Sequence, residues 1–214
     1  MARGYQQGRP QQRKGNQVKY FFVDTECTGV DPKKNGVIQI AGKIVVNGKV
    51  VERFDIRAKP FPDDVIEDEA LAVNGITREQ METFQAPREA YRQLTAILSR
   101  HCDKFKRSDK FHFVGYFGDF DANMIRSWFE KNNDVYFGSW FWHPVLDVAK
   151  LAAVRLVEKR HQMVNFKLLT VAATLGLDVD PTKAHDADYD IDLTMRVFKL
   201  CIQDLAFLEV QMET

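Results

Sequence analysis

Three short stretches of this 214-residue chain hold carboxylates at spacings that can do chemistry. Asp24-Thr25-Glu26 ends an apolar run that begins at Val18. Side chains two apart on a strand share a face, so Asp24 and Glu26 project together beside a buried segment. Two adjacent anions repel there unless a cation lies between them, and a hard divalent ion with oxygen ligands meets that need. A solvated charge pair at a strand end accounts for the same two residues. Thr28-Gly29 follows as a turn that bares backbone amides. Gly118-Asp119-Phe120-Asp121 opens a helical stretch, with Asp119 read as its N-cap and Asp121 as a first-turn acid facing the positive end of the helix dipole. Ala184-His185-Asp186-Ala187-Asp188-Tyr189-Asp190-Ile191-Asp192 opens another. Asp186 reads as the cap and Asp190 lies one turn up the same face. Asp192 is ~200° round from Asp190 and faces elsewhere. His185 precedes the cap, where it can swing over a site or stand as a plain surface histidine. Asp119 and Asp188 read as decoys beside the other acids.

These residues need elements to hold them. Val18–Glu26 reads as a central strand, apolar on both faces. Gly36–Val46 and Lys49–Ala58 read as two more strands, with Asn47-Gly48 between them as a hairpin turn. Pro60 and Pro62 end the run. The pattern turns helical from Ile66, and Pro87 starts a helix whose apolar spacing runs through Tyr91, Leu94, Leu98, Cys102 and Phe105. Lys104–Lys110 is a basic connector. Phe111–Tyr116 reads as a strand and Asp119–Lys131 as a helix. Val145–Glu158 and Phe166–Leu175 are further helices, with Asp147 as a cap or first-turn acid and Gly176 ending the second. A last helix spans Asp186–Val210, with Ile191, Met195, Phe198, Ile202, Leu205 and Leu208 on its apolar stripe. The order predicts an α/β single domain, a mixed sheet with helices packed on it.

Composition sets the limits. Hydrophobic residues make up 45% and charged residues 28%, ordinary values for a globular chain. No apolar run approaches the ~20 residues needed to span a bilayer, and residues 1–20 lack the apolar core of a signal peptide. Cys27, Cys102 and Cys201 are far apart and odd in number, which points to a reducing compartment rather than a disulfide framework or zinc site. The formal net charge of zero hides an asymmetry. Arg3, Arg9, Arg13, Lys14 and Lys19 have no acid among them in residues 1–20, and without them 25 basic residues face 30 acidic ones. Residues 1–17 read as a basic, Gln-rich, disordered tail, and 18–214 as the domain. The tail is poor in Ser and not amphipathic, unlike a mitochondrial transit peptide. It reads either as an arm that adds salt-dependent affinity for nucleic acid or as a solvated extension. Trp140-Phe141-Trp142 reads as core packing ahead of base stacking, and Lys104, Lys106, Arg107 and Lys110 as a solvated connector ahead of a phosphate contact.

Taken together, the three acidic stretches form an ordered set. Val23-Asp24-Thr25-Glu26-Cys27-Thr28-Gly29, Phe120-Asp121 and Ala184-His185-Asp186-Ala187-x-x-Asp190 resemble the motifs of the DEDDh branch of the DnaQ-like 3′–5′ exonucleases. Leu71-Ala72-Val73-Asn74-Gly75-Ile76-Thr77 resembles the family's segment between the first and second motifs. The resemblance covers residues 18–205. It implies a ribonuclease-H-like fold with a mixed five-stranded sheet. It implies Asp24, Glu26, Asp121 and Asp190 as ligands of two Mg²⁺ ions, replaceable by Mn²⁺, and His185 as the general base that frees a 5′-monophosphate from a 3′ end. It marks Thr25, Cys27, Thr28 and Asn74 as candidate substrate contacts. Two positions depart from the family's pattern: Phe117 stands where Asn is common, and Cys27 where Thr or Ser is usual.

The implied substrate is single-stranded DNA, because Ala-His-Asp-Ala before Asp190 looks more like DNA exonucleases. An exoribonuclease trimming RNA or short oligoribonucleotides is the alternative within the same site, and a catalytically silent nucleic-acid-binding module the alternative from another class. The tail adds a third expectation, a docking arm for a protein partner. No membrane partner is expected. The resemblance places the chain in the cytoplasm of a bacterial or phage-infected cell, with the mitochondrion as the alternative.

Overall fold

The computed structural model describes residues 17–184 and 186–203. Within them the chain runs β1 (Lys19–Cys27), β2 (Val37–Val46), β3 (Lys49–Arg57), α1 (Asp68–Asn74), α2 (Arg78–Glu82), α3 (Pro87–His101), β4 (His112–Gly115), α4 (Gly118–Lys131), α5 (Phe137–Trp140), β5 (Leu146–Asp147), α6 (Val148–Arg155), α7 (Leu168–Thr174) and α8 (Ala187–Gln203). The five strands form one sheet in the order β3-β2-β1-β4-β5. β1, β2 and β3 pair antiparallel, while β4 lies parallel to β1 and β5 parallel to β4. The mixed sheet is therefore as expected. The hairpin is too: Asn47 (φ 50°) and Gly48 (φ 79°) both take the left-handed backbone that a two-residue I′ turn requires.

Alternation along β1 divides the interior in two. Phe21, Val23 and Cys27 face one way, onto Leu94 and Leu98 of α3 and Ile125 and Trp128 of α4. Phe22 faces the other way with Ala41, Val45 and Val114, onto Val148 of α6, Val171 of α7 and Ile191, Val197 and Phe198 of α8. Both faces of β1 and β2 thus have a helical layer over them, which is why these two strands read as apolar on both faces, whereas β3 is largely exposed. The period of two carries Asp24 and Glu26 to the α8 side and Thr25 to the α4 side.

Several boundaries differ from the sequence reading. The stretch from Val145 is not one helix. Leu146–Asp147 is a two-residue edge strand, Asp147 then caps α6 by accepting from the Lys150 N–H, and Val157–Gln162 winds as 3₁₀. Two residues are too few to leave a period of two. α3 stops at His101, because Cys102 turns to extended backbone with its thiol donating to Asp109 O, and Asp103 accepts from the Phe105 N–H in a turn that competes with the helix. Phe105 is consequently 88% exposed and not on the apolar stripe. α4 begins one residue before Asp119, with Phe117 (φ 60°) in the cap position. Asp119 instead pairs with Lys150. On α8 the inward positions are Ile191, Val197, Phe198 and Cys201, whereas Ile202 is exposed. Leu205 and Leu208 lie outside the described residues.

Trp140 and Phe141 are core residues, and the exposed Trp142 carries Lys110 over its ring at 5.4 Å. Lys19, one of the five basic residues counted in residues 1–20, is buried, donating to His101 O at 2.6 Å and pairing with Asp109, so its charge is spent inside the domain. Residues 1–16 lie outside the described residues. The three cysteines are free and buried. No helix among the described residues is long and apolar enough to cross a membrane.

Candidate active site

β1 and β4 run parallel, so their C-terminal ends open at the same edge of the sheet. Asp24 and Glu26 stand at that end of β1, and the first turn of α4 follows β4 directly. Asp121 in that turn is only 3% exposed. Gly115 lets it in so deeply: a Cβ there would sit 2.8 Å from Asp121 Oδ2 and 3.3 Å from Val23 O. The buried Thr25 hydroxyl donates to Asp121 Oδ1 at 2.6 Å, fixing the carboxylate from the β1 side. Asp190 enters from α8. The Asp186 carboxylate accepts from the Tyr189 N–H at 3.0 Å, and the Asp190 N–H donates to Asp186 O at 2.9 Å, so Asp186 opens the helix as expected.

The four acids share one electrostatic field. Burial pushes Asp24 up to about 7, with the negative charge of Asp190 adding to it. Burial pushes Glu26 up to about 8, with Asp24 and then Asp190 adding. Asp121 is raised well above the carboxylate range by burial and then by Asp24, against the Thr25 hydroxyl that favours its charged form. Among the described residues, no lysine or arginine forms an ion pair with Asp24, Glu26 or Asp121; Lys43, Lys131 and Lys150 pair with other acids. Buried like charges of this kind stay protonated or take a cation. The donors are all carboxylate oxygens, the chemistry of Mg²⁺ or Mn²⁺. Among the described residues, no three side chains of His, Cys, Asp or Glu close into a ready-made ligand shell. The mutual repulsion of the acids is the feature that suits an ion.

The other residues marked from the sequence are spent inside the protein. Thr28 is fully buried, accepting from the Gly36 N–H and donating to Val65 O, both within 2.8 Å. Asn74 donates to Cys27 O at 3.1 Å and accepts from the Ile76 N–H. Thr28 ties the turn after β1 to the segment before α1, and Asn74 ties the end of β1 to the end of α1, so the two side chains shape the rim. The Cys27 thiol is buried against Thr25, and burial pushes it upward, which makes it an unreactive neutral thiol. His185 lies outside the described residues. Two features went unread in the sequence: the backbone of Phe117, a position marked there only as a departure from the family's pattern, and the burial of Lys43. Phe117 is 53% exposed with strained left-handed backbone at the mouth of the site, and Lys43 is wholly buried beside α8. A lysine inside the apolar run of β2 was the available signal for the second.

The RNase T family, described as exonuclease, matches the chain over residues 21–198. The chain therefore belongs to the DnaQ-like exonuclease family, whose members are metal-dependent 3′–5′ exonucleases. It is 24% identical over 187 residues to a PolC-type DNA polymerase III of Mycoplasmopsis pulmonis, covering 87% of this chain and 12% of that one. It is 28% identical over 194 residues to the 3′–5′ exonuclease DinG of Bacillus subtilis, covering 89% of this chain and 18% of that one. The chain thus spans less than a fifth of either relative. Among solved structures, E. coli exonuclease I in complex with single-stranded DNA superposes with a TM-score of 0.70 at 18% identity, over 89% of this chain and 41% of that one. That likeness establishes the ribonuclease-H-like fold.

Proposed function

We propose that this chain hydrolyses single-stranded DNA from its 3′ end and releases nucleoside 5′-monophosphates. The observation that carries the reading is the shared field of Asp24, Glu26, Asp121 and Asp190, with no lysine or arginine paired to the first three among the described residues. These four would hold two Mg²⁺ ions, with Mn²⁺ as a substitute. Bound there, the ions would supply positive charge to the attacking and leaving oxygens of a phosphodiester. Asp24 and Glu26 bind from one strand, so their spacing is rigid. Thr25 orients Asp121 by its hydrogen bond. His185, two residues before the helix that carries Asp190, takes the proton of the attacking water on its imidazole. DNA is favoured by the Ala184-His185-Asp186-Ala187 pattern and by relatives named as DNA polymerases.

The deciding assay uses 5′-labelled single-stranded DNA and the matching RNA with Mg²⁺, Mn²⁺ or EDTA, beside Asp24→Ala. The expected result is a ladder shortening from the 3′ end of DNA, absent in EDTA and in the variant. Preferential RNA shortening would transfer the reading to the exoribonuclease alternative. Binding with no cleavage of either strand would favour a silent module.

Two further outcomes are expected. Gly115→Ala forces the Asp121 carboxylate from its seat, because the new methyl meets it at 2.8 Å. The rate should fall at least tenfold while circular dichroism shows the fold intact; an unchanged rate would remove Asp121 from the site. Deleting residues 1–17 removes Arg3, Arg9, Arg13 and Lys14. If all four meet phosphates, the slope of log KM against log salt should flatten by up to ~2.8, since each contact to single-stranded nucleic acid contributes ~0.7. An unchanged slope would exclude the phosphate-binding arm and leave a solvated extension or a docking arm for a partner protein.

A further inference from the structure

Lys43 lies in the middle of β2, within the run Val37-Ile38-Gln39-Ile40-Ala41-Gly42-Lys43-Ile44-Val45-Val46. It pairs with Phe22 of β1, and Ala41 on the same face pairs with Asp24. The Lys43 side chain therefore leaves the sheet on the α8 side, beside Asp24. It is 0% exposed. Its Nζ lies 2.7 Å from Asp188 Oδ1 and 2.7 Å from Asp192 Oδ1, without the alignment of a hydrogen bond to either. Arg53 of β3 adds a second cation 3.6 Å from Asp188.

Asp188 and Asp192 are four residues apart on α8, so they share a face. Asp190 lies between them in sequence and ~160° round the helix from either. The ammonium therefore grips α8 through the residues that flank Asp190, from the side opposite Asp190's own.

Burying an ammonium is costly, and the desolvation of a buried ion pair can exceed its Coulombic gain. An apolar side chain would fill this place as Ala41 and Val45 fill theirs. What the charge adds is angular definition. An apolar helix face slides on an apolar sheet with little penalty, whereas two carboxylates on one ammonium allow one rotation and one depth. A rotation of ~20° moves a carboxylate ~5 Å from the helix axis by ~2 Å, which is a whole Mg²⁺–oxygen distance.

We infer that Lys43 is a positioning residue: through Asp188 and Asp192 it fixes how α8 sits on the sheet, and so how Asp190 approaches Asp24 and Glu26. The inference rests on Asp190 being a metal ligand, as proposed above. The test uses the full chain with three variants: Lys43→Met, the double variant Asp188→Asn/Asp192→Asn, and Asp190→Asn as control. Mn²⁺ affinity is read by calorimetry, kcat and KM on a labelled oligonucleotide, and Tm in EDTA. Lys43→Met and the double variant should each bind Mn²⁺ about 10–100-fold more weakly, the effect expected of residues that orient ligands. Their kcat should fall by a similar factor at limiting Mn²⁺ and recover as Mn²⁺ is raised, with KM for DNA unchanged. A purely structural role would lower Tm in EDTA and leave Mn²⁺ affinity of the folded protein intact. If Lys43→Met folds with wild-type affinity and kcat, the inference is overturned. If it does not fold, the double variant decides alone, because both aspartates are more than half exposed and each asparagine keeps a side-chain oxygen toward the Lys43 ammonium. Loss of Mn²⁺ binding in Asp190→Asn alone would reject Lys43; wild-type binding in Asp190→Asn would reject Asp190 as a ligand.

Discussion

Asp24→Asn should abolish exonuclease turnover and at the same time make the metal-free protein more stable at pH 8. The two effects have one cause. Asp24 is held up to about 7 by burial and by Asp190. A carboxyl whose folded value lies above its unfolded one stabilises the fold fully below the unfolded value near 4, and that contribution is lost as pH rises through the folded value. Glu26, pushed up to about 8, follows the same sign in the same window. Between pH 4 and 8 in EDTA, the wild type therefore loses on the order of a few kcal/mol that an amide at position 24 does not lose. Other acids titrate in both proteins: Asp31, Glu52 and Asp109 are held low by their partners and work in the opposite direction. Only the difference in Tm between variant and wild type isolates the site, and it should widen from pH 5 to pH 8. Mg²⁺ should invert the order, because an ion that binds only the folded state stabilises it by mass action and needs the carboxylates charged. The same lost ligand removes charge stabilisation worth several kcal/mol, on the order of 10³-fold or more in rate. Thermal melts at pH 5, 6.5 and 8, with EDTA and with Mg²⁺, supply the check. Equal melting of the two proteins at pH 8 in EDTA, with no response of the wild type to Mg²⁺, would remove the carboxylates from any metal role.

What could be read in advance was whatever the chain states locally. Asn47-Gly48 names its own turn, Pro87 starts α3, and the apolar run before Asp24 names a doubly covered strand. The acids at 24, 26, 121 and 190 stand out as the proposed ligand set through the resemblance of three short motifs, in order, to a known family; each stretch by itself also fits a helix cap or a solvated charge pair. What could not be read was depth. Asp121 resembles any first-turn acid until Thr25, 96 residues away, is seen to hold it and Gly115 to make room for it. Lys43 looks like an error in an apolar strand until α8 arrives with Asp188 and Asp192. β5 is two residues long and exists only because β4 offers an edge. Phe117 shows the same dependence: its left-handed backbone is set by the sharp passage from β4 into α4, and no propensity foretells that of a phenylalanine. In each case the missing information sits in a partner distant along the chain, and residue type alone does not carry it.

His185→Ala should lower kcat by 10²–10⁴, the range for removing a positioned general base. Its motif alone supplies the argument: an imidazole two residues ahead of the helix bearing Asp190, with a reference value near 6.5, can accept a proton at neutral pH where the raised carboxylates cannot serve as well once they hold cations. A base acts in its deprotonated form, so wild-type kcat should climb with pH until the imidazole is neutral and then level. The variant should lose that limb, leaving only the dependence set by metal binding. Unlike Asp24→Asn, it should keep the Mg²⁺-induced rise in Tm, because no carboxylate has been removed. The pairing of a large loss in kcat with an intact metal response separates a proton acceptor from a ligand. Wild-type turnover at pH 7 in His185→Ala would exclude the base. A lost Tm response would instead make His185 part of the ion's own surroundings, and the proton would then have to leave by another route.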